Sequence, residues 1–177
     1  MNRLALAELA LERHDRVLEI GFGGGDLLAD ILTATDGEVF GADVSEAMLE
    51  RARRRFRREA GRLTLLLASA ETLPLADGSI DKAVSLNSLY FWPDPAAALT
   101  ELARLVRPGG RLILCFEPPD ELRKWPGSRF GFRMFEVDEV MALMEGAGFS
   151  PIRTVWGHGR KPDRFCCLSG KRRGANG

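Results

Sequence analysis

VLEIGFGGGD, Val17 to Asp26, is the stretch whose reading decides the fold. Arg16-Val17-Leu18-Glu19-Ile20 is apolar and β-branched enough for a buried strand, while Leu27, Leu28, Ile31 and Leu32 recur at helical spacing. Gly21, Gly23, Gly24 and Gly25 therefore form the turn from strand to helix. Glycine accepts positive φ and lets a ligand approach the main chain, and the helix that follows offers unpaired backbone N–H groups at its start. A tight turn that holds no ligand would use the same residues, so the choice falls to features elsewhere in the chain.

The chain has 177 residues, which suits one domain with a core of useful size. The domain is expected over residues 1–170, with 171–177 as a polar tail. Lys plus Arg number 25 and Asp plus Glu number 25, so no global charge favours nucleic acid or an anionic membrane as partner. Every apolar run is too short to span a bilayer, and the N-terminus lacks the succession of a secretory signal, which makes a cytoplasmic location the expectation. Cys115, Cys166 and Cys167 are odd in number and lack C-x-x-C spacing. That pattern argues against a disulfide framework or a metal site, and the three read as core residues of strands.

Strand-like runs at Val17–Ile20, Glu38–Ala42, Leu63–Leu67, Ala83–Leu86 and Leu112–Phe116 alternate with helical patterns. This is the signature of a doubly wound, mostly parallel α/β sheet covered on both faces, a three-layer α/β/α arrangement. Ser45 is placed as N-cap of a helix burying Met48, Leu49, Ala52 and Phe56. Asp94-Pro95 opens another that buries Leu99, Leu102 and Val106 and stops at Arg107-Pro108-Gly109-Gly110. After a proline-bearing, aromatic stretch come a helix near Val137–Glu145 and two strands, Ile152–Trp156 and Arg164–Leu168. The link between them, with Gly157-His158-Gly159-Arg160, is short enough only for a hairpin, so the seventh strand runs antiparallel to its neighbour.

A doubly wound sheet binds its ligand at the carboxyl ends of the strands, where the connections switch direction. The glycine turn lies there. A dinucleotide fingerprint needs a third glycine where this chain has Asp26, and a carboxylate at the helix start repels a pyrophosphate. Asp43 ends the second strand, eighteen residues after Gly25, where it can accept hydrogen bonds from both hydroxyls of a ribose. The ligand is then a nucleoside without phosphates. S-adenosylmethionine, with its adenosine, sulfonium and ammonium, fits a site that also carries Glu19 and Asp26. An ordinary turn aspartate is the competing reading of Asp43.

With these residues in view, the chain resembles the class I S-adenosylmethionine-dependent methyltransferases, and among them is most similar to the small-molecule group containing the ubiquinone and menaquinone C-methyltransferases. The resemblance runs from Val17 to about Leu168. Its carriers are VLEIGFGGG, FGADVSEAMLERAR, ASAETLPLADGSIDKAVSLNSLYFWPDP, ELARLVRPGGRL and EVMALMEGAGF, in that order. It implies a Rossmann-like methyltransferase fold of seven strands. It also implies that Glu19, Gly21 and Gly23, with Phe22 in the same turn, line the methionine moiety. Asp43 would hold the ribose, Val44 and Met48 would pack on ribose and adenine, and Asn87 would pass beneath the sulfonium. The adenine amino group is usually read by an Asp of a Gly-Asp-Ala-Glu sequence. Here Ala68-Ser69-Ala70-Glu71 stands in its place, so Ser69 gives up a charge-assisted contact beside Ala70 and Glu71.

Methyl transfer with an activated leaving group is chiefly a matter of alignment, and no catalytic side chain is assigned. His14 reads as a surface residue at the far end of the sheet. His158 in the hairpin and Glu117 after the fifth strand are candidate bases, against the plainer readings of a solvated histidine and a pocket-shaping carboxylate. Tyr90-Phe91-Trp92 either wall the acceptor or, the reading placed slightly ahead, pack between strand and helix. The Asn-Pro-Pro-Tyr sequence of amino-directed methyltransferases is absent, since Asn87 is followed by Ser88-Leu89-Tyr90, and this favours a carbon or oxygen acceptor over nitrogen. The arginines of Arg51–Glu59 read as the wet face of a helix rather than an RNA surface.

Fifteen residues precede the Arg16–Ile20 strand run, room for one amphipathic helix around Leu4, Ala7 and Leu11. An open cleft is therefore expected, partly covered by residues 118–136 with Trp125, Phe130 and Phe132. Three consequences are weighed: weak cofactor binding, a capping partner or homodimer, or a missing N-terminal extension. The favoured function is methyl transfer to a small-molecule acceptor. The rival is an inactive cofactor-binding sensor or accessory subunit, and an NAD-linked reductase stands a distant third.

Overall fold

The alternating apolar runs assemble, in a computed structural model that describes residues 1–125, 133–159 and 164–174, into one seven-stranded sheet. The strands are β1 (Val17–Ile20), β2 (Val39–Asp43), β3 (Leu63–Leu67), β4 (Ile80–Leu86), β5 (Val106–Phe116), β6 (Phe149–His158) and β7 (Arg164–Arg172). Their order is β3-β2-β1-β4-β5-β7-β6. The first five pair in parallel, and β7 lies between β5 and β6, antiparallel to both. The expected architecture is what forms, with the last strand inserted rather than added at the edge.

Six α-helices are described: α1 (Asn2–Leu9), α2 (Asp26–Ala34), α3 (Glu46–Arg55), α4 (Pro95–Leu105), α5 (Pro119–Leu122) and α6 (Val137–Gly146). Side chains alternate across the sheet because successive strand residues face opposite ways. Leu18, Ile20, Leu112, Leu114 and Leu168 face α4 and α6 in one core, while Val17, Val39, Ile113 and Phe165 face α1, α2 and α3 in the other. Glu19, between Leu18 and Ile20, therefore points toward the second layer.

Helix starts follow local chemistry. Ser45 Oγ accepts from Met48 N at 3.4 Å, and Asp94 Oδ1 accepts from the N–H groups of Ala96 and Ala97, each at 3.0 Å, with Pro95 in the first turn. A side-chain cap of this kind contributes about 0.5–2 kcal/mol.

Several expectations need correction. Cys115 and Cys167 form a disulfide, with Cα atoms 4.0 Å apart. They are directly opposed on antiparallel β5 and β7, a relation that sequence spacing cannot express because it depends on strand order. Cys166 points to the other face, buried and unbridged. The polar tail starts later than residue 171, since Lys171 and Arg172 continue β7 and Arg172 Nε donates to Ala103 O at 2.8 Å. The residues Arg107 to Gly110, expected as a turn, belong to the start of β5 beside a register irregularity near Ile80 and Lys82. Helix α1 ends at Leu9, so Leu11 lies beyond it.

Candidate functional site

The chain leaves β1 toward β2 on one side and returns to β4 on the other, so the carboxyl ends of β1 and β4 part at a switch point. A crevice of about 540 Å³ opens there, lined by Gly21 and Gly23 of the first turn, Asp43 and Val44 after β2, Ser69, Ala70 and Glu71 after β3, and Asn87 to Pro93 after β4, apart from Leu89 and Tyr90. That size lies within the roughly 300–1,000 Å³ of small-molecule sites.

The glycine turn is built by close approach. Gly21 has φ +70°, and a Cβ there would stand 2.3 Å from Ser88 Cβ, an overlap no packing can absorb. Gly25, with φ +75°, caps α2 against the ring of Phe56. Arg55 holds the outside of the turn: its Nη1 donates to Gly24 O at 2.6 Å and to Asp26 Oδ1 at 2.7 Å. The Asp26 carboxylate that disfavours a pyrophosphate is thus oriented by a guanidinium.

Asp43 joins two elements. Its Oδ2 accepts from Gly23 N at 3.0 Å and its Oδ1 accepts from Ser45 N at 2.9 Å. Each oxygen has a second lone pair, so two acceptor positions remain for hydroxyls.

Glu19 is the electrostatic anomaly. The residue is 3 % exposed, and its Oε2 has no hydrogen-bond partner among the described residues. Burial first, then the negative charges of Asp43, Asp26 and Asp30, push its carboxyl well above the usual carboxylate range. A buried carboxyl without a cation stays neutral because ionising it there is costly. It faces a second, smaller hollow of about 250 Å³ behind the turn, whose lining includes Asn2, Gly21, Gly23 and Asp26. A hydrogen-bonding partner among the described residues is what this atom lacks.

The crevice thus gathers Gly21, Gly23, Asp43, Val44, Ser69, Ala70, Glu71 and Asn87, and Glu19 joins them from behind the glycine turn. Two expected residues stand apart. The Phe22 side chain is buried in the core and meets only the smaller hollow, and Met48 is half-buried against the same core without lining the crevice.

Sequence reasoning passed over Ser88, whose Oγ accepts from Trp92 Nε1 at 3.2 Å and donates to Ile20 O at 3.3 Å. The packing of Gly21 against it was the signal, and that needs three dimensions. Tyr90 and Trp92 are buried, in line with the packing reading. Phe91 is 59 % exposed and lines the crevice, as Trp92 does.

The candidate bases are less central. His158 is exposed at the end of β6, and the hairpin residues 160–163 lie outside the described residues, as do Phe130 and Phe132 of the expected lid. Glu117 is half-buried, and its backbone N–H donates to Tyr90 Oη at 2.6 Å.

Comparison with known proteins points the same way as this geometry. Residues 18–114 match a family model described as a methyltransferase domain. The chain is 30 % identical over 174 residues to the uncharacterized methyltransferase YdaC of Bacillus subtilis, covering 97 % of this chain and 91 % of that one. It is 38 % identical over 159 residues to the O-methyltransferase rstn1 of Aspergillus nomiae, covering 81 % and 68 %. Its fold matches the Haloferax volcanii protein solved in complex with the Trm112 methyltransferase activator, with a TM-score of 0.87, 20 % identity, and 99 % and 89 % of the two chains covered.

Proposed function

This chain belongs to the class I S-adenosylmethionine-dependent methyltransferases, and from that premise we propose that it methylates a small organic acceptor at carbon or oxygen. The observation that carries the reading is the unpartnered Oε2 of Glu19, buried behind a glycine turn whose other side opens toward Asp43. A cationic amino-acid end and a phosphate-free ribose suit both carboxylates, whereas a pyrophosphate would meet the repulsion of Asp26 and Glu19.

S-adenosylmethionine supplies a methyl carbon already activated by its sulfonium leaving group. The chain's share of the work is then to bind and align. Glu19 would receive the ammonium, Asp43 the ribose hydroxyls through its two spare lone pairs, and the bare main chain at Gly21 and Gly23 would let the amino-acid end lie close. Ser69 and Glu71 offer acceptors for the base. Trp92, pinned to Ser88, and Phe91 present apolar surface beside Asn87. Alignment of the reacting groups supplies roughly 7–11 kcal/mol of barrier lowering.

A carbon or oxygen acceptor is supported by the absence of the Asn-Pro-Pro-Tyr sequence after β4 and by the name of the fungal relative. Val44, 71 % exposed, and Phe91 leave the rim apolar, which supports cover by the acceptor, a second copy or a capping protein.

The test is incubation with methyl-labelled S-adenosylmethionine and a metabolite extract. Label transferred to a small molecule supports the proposal. Tight binding with no transfer across many acceptors overturns it in favour of an accessory, cofactor-binding role.

A further inference from the structure

Asn87 ends the β4 side of the crevice with a backbone that few residues adopt. Its φ is +52°, and apart from Ala10 it is the only non-glycine residue with positive φ among the described residues. Asparagine tolerates this region better than most L-residues. Its N–H donates to Cys115 O at 2.9 Å, which fixes the main chain.

The side chain is held separately. Tyr90 Oη accepts the Glu117 N–H at 2.6 Å, so its own proton is directed to an acceptor, and Asn87 Oδ1 lies 3.2 Å away. Glu117 O, at 3.3 Å, shares that proton less closely. Tyr90 is 3 % exposed, and burial raises its hydroxyl above the ordinary tyrosine range, so it remains a donor throughout the neutral range. A donor–acceptor chain of this kind polarises each bond in turn. With Oδ1 turned to Tyr90, the carboxamide has only its Nδ2 amino group left to offer, and that group has no hydrogen-bond partner among the described residues. Asn87 lines the crevice, across the switch point from Asp43.

We propose that Tyr90 is a positioning residue: by holding Oδ1 it presents the two N–H donors of Asn87 to an oxygen of the molecule bound in the crevice. The site then has acceptors at the β1 and β2 tips, from Glu19 and Asp43, and a fixed donor at the β4 tip. This inference rests on the reading that the crevice holds S-adenosylmethionine. A phenylalanine at 90 keeps the ring and removes the bond that sets the carboxamide, together with the hydroxyl's bonds to the Glu117 main chain.

The experiment is titration calorimetry with S-adenosylmethionine on wild type, Tyr90→Phe, Asn87→Gly and the double variant, with melting temperatures recorded for each. Glycine at 87 keeps the positive φ. Removing one such hydrogen bond is expected to weaken binding about five- to tenfold in either single variant. The double variant is expected to bind no more weakly than Asn87→Gly, because Tyr90 acts only through the carboxamide. A purely structural tyrosine would lower the melting temperature and leave affinity unchanged, or would add its full loss on the Asn87→Gly background; either result overturns the proposal.

Should Tyr90→Phe not fold, the wild type still decides. The side-chain amide signals of Asn87, identified by their disappearance in Asn87→Gly, are expected to shift on titration with S-adenosylmethionine, and unmoved signals overturn the proposal. Failure of wild type to bind at all would instead remove the underlying reading of the crevice, so the two failures are distinguishable.

Discussion

Asp43 Oδ2 accepts the backbone N–H of Gly23 at 3.0 Å, so the carboxylate at the end of β2 also holds the turn that follows β1. One side chain thus ties the glycine loop to the start of α3 and keeps a spare lone pair on each oxygen. Asp43→Ala is expected to weaken S-adenosylmethionine binding by about 10- to 150-fold, the loss of roughly 1.5–3 kcal/mol that accompanies removal of a charged hydrogen-bond acceptor. Asp43→Asn is expected to lie between the two, since its amino group cannot accept from Gly23 or Ser45. Calorimetry on the three proteins measures this.

If Glu19 receives the cofactor's ammonium as proposed, its raised titration is expected to couple binding to pH. In the free protein the carboxyl is neutral below its elevated pKa, and binding an ammonium favours the ionised form, so binding releases a proton. Affinity is expected to rise with pH, by up to tenfold per unit, until the pH passes the free-state pKa. Glu19→Gln is expected to bind weakly and to lose this slope. Calorimetry in two buffers of different ionisation enthalpy counts the proton.

The same residue has the opposite sign in folding. A carboxyl whose pKa is raised in the folded state contributes stability that is fully present below its unfolded value, about 4.3, and is lost as pH rises toward the folded value. Glu19→Gln is therefore expected to melt higher than wild type at neutral pH while binding cofactor less well. A melting temperature lower than wild type at pH 7.5 would contradict the burial argument.

Gly21 and Gly24 are neighbours in one loop with different constraints. Alanine at 21 would meet Ser88 at 2.3 Å with φ +70°, while alanine at 24 has no atom within 4 Å and needs no positive φ. Gly21→Ala is expected to cost more than about 1 kcal/mol and to distort the crevice, and Gly24→Ala to stay within about 0.5 kcal/mol. Urea midpoints and cofactor affinity check both.

The Cys115–Cys167 disulfide leaves Cys166 as the one free thiol, buried and with its pKa pushed by burial up to about 12. A thiol reagent is expected to find almost no reactive group in the native protein and one per chain in denaturant without reductant. Reduction opens the loop that the bridge closes over a sequence separation of 52 and is expected to cost about 2–4 kcal/mol of stability. Three reactive thiols in denaturant alone would contradict the pairing.

Much of this protein is written in local pattern. The β1 run, the glycine turn, the Ser45 and Asp94 caps and the α6 helix each follow from a few adjacent residues, because strand period, helix period and capping act over short distances. Asp26 in place of a glycine and Asp43 at the end of β2 were legible for the same reason: each is a charge at a position whose strand or helix context is local.

The remainder was set by contacts between distant parts of the chain. That Glu19 Oε2 has no hydrogen-bond partner among the described residues, that Ser88 forces glycine at 21, that Tyr90 reaches both Asn87 and Glu117, and that Cys115 meets Cys167 are relations that arise only after the sheet has formed. The amino-acid sequence alone determined where most strands and helices lie and that a carboxylate, Asp43, stands at the end of β2. Strand order and side-chain burial decided the rest, because the energy of a buried charge, a cross-strand bridge or a close backbone approach depends on what lies beside it in space and not on what precedes it in the chain.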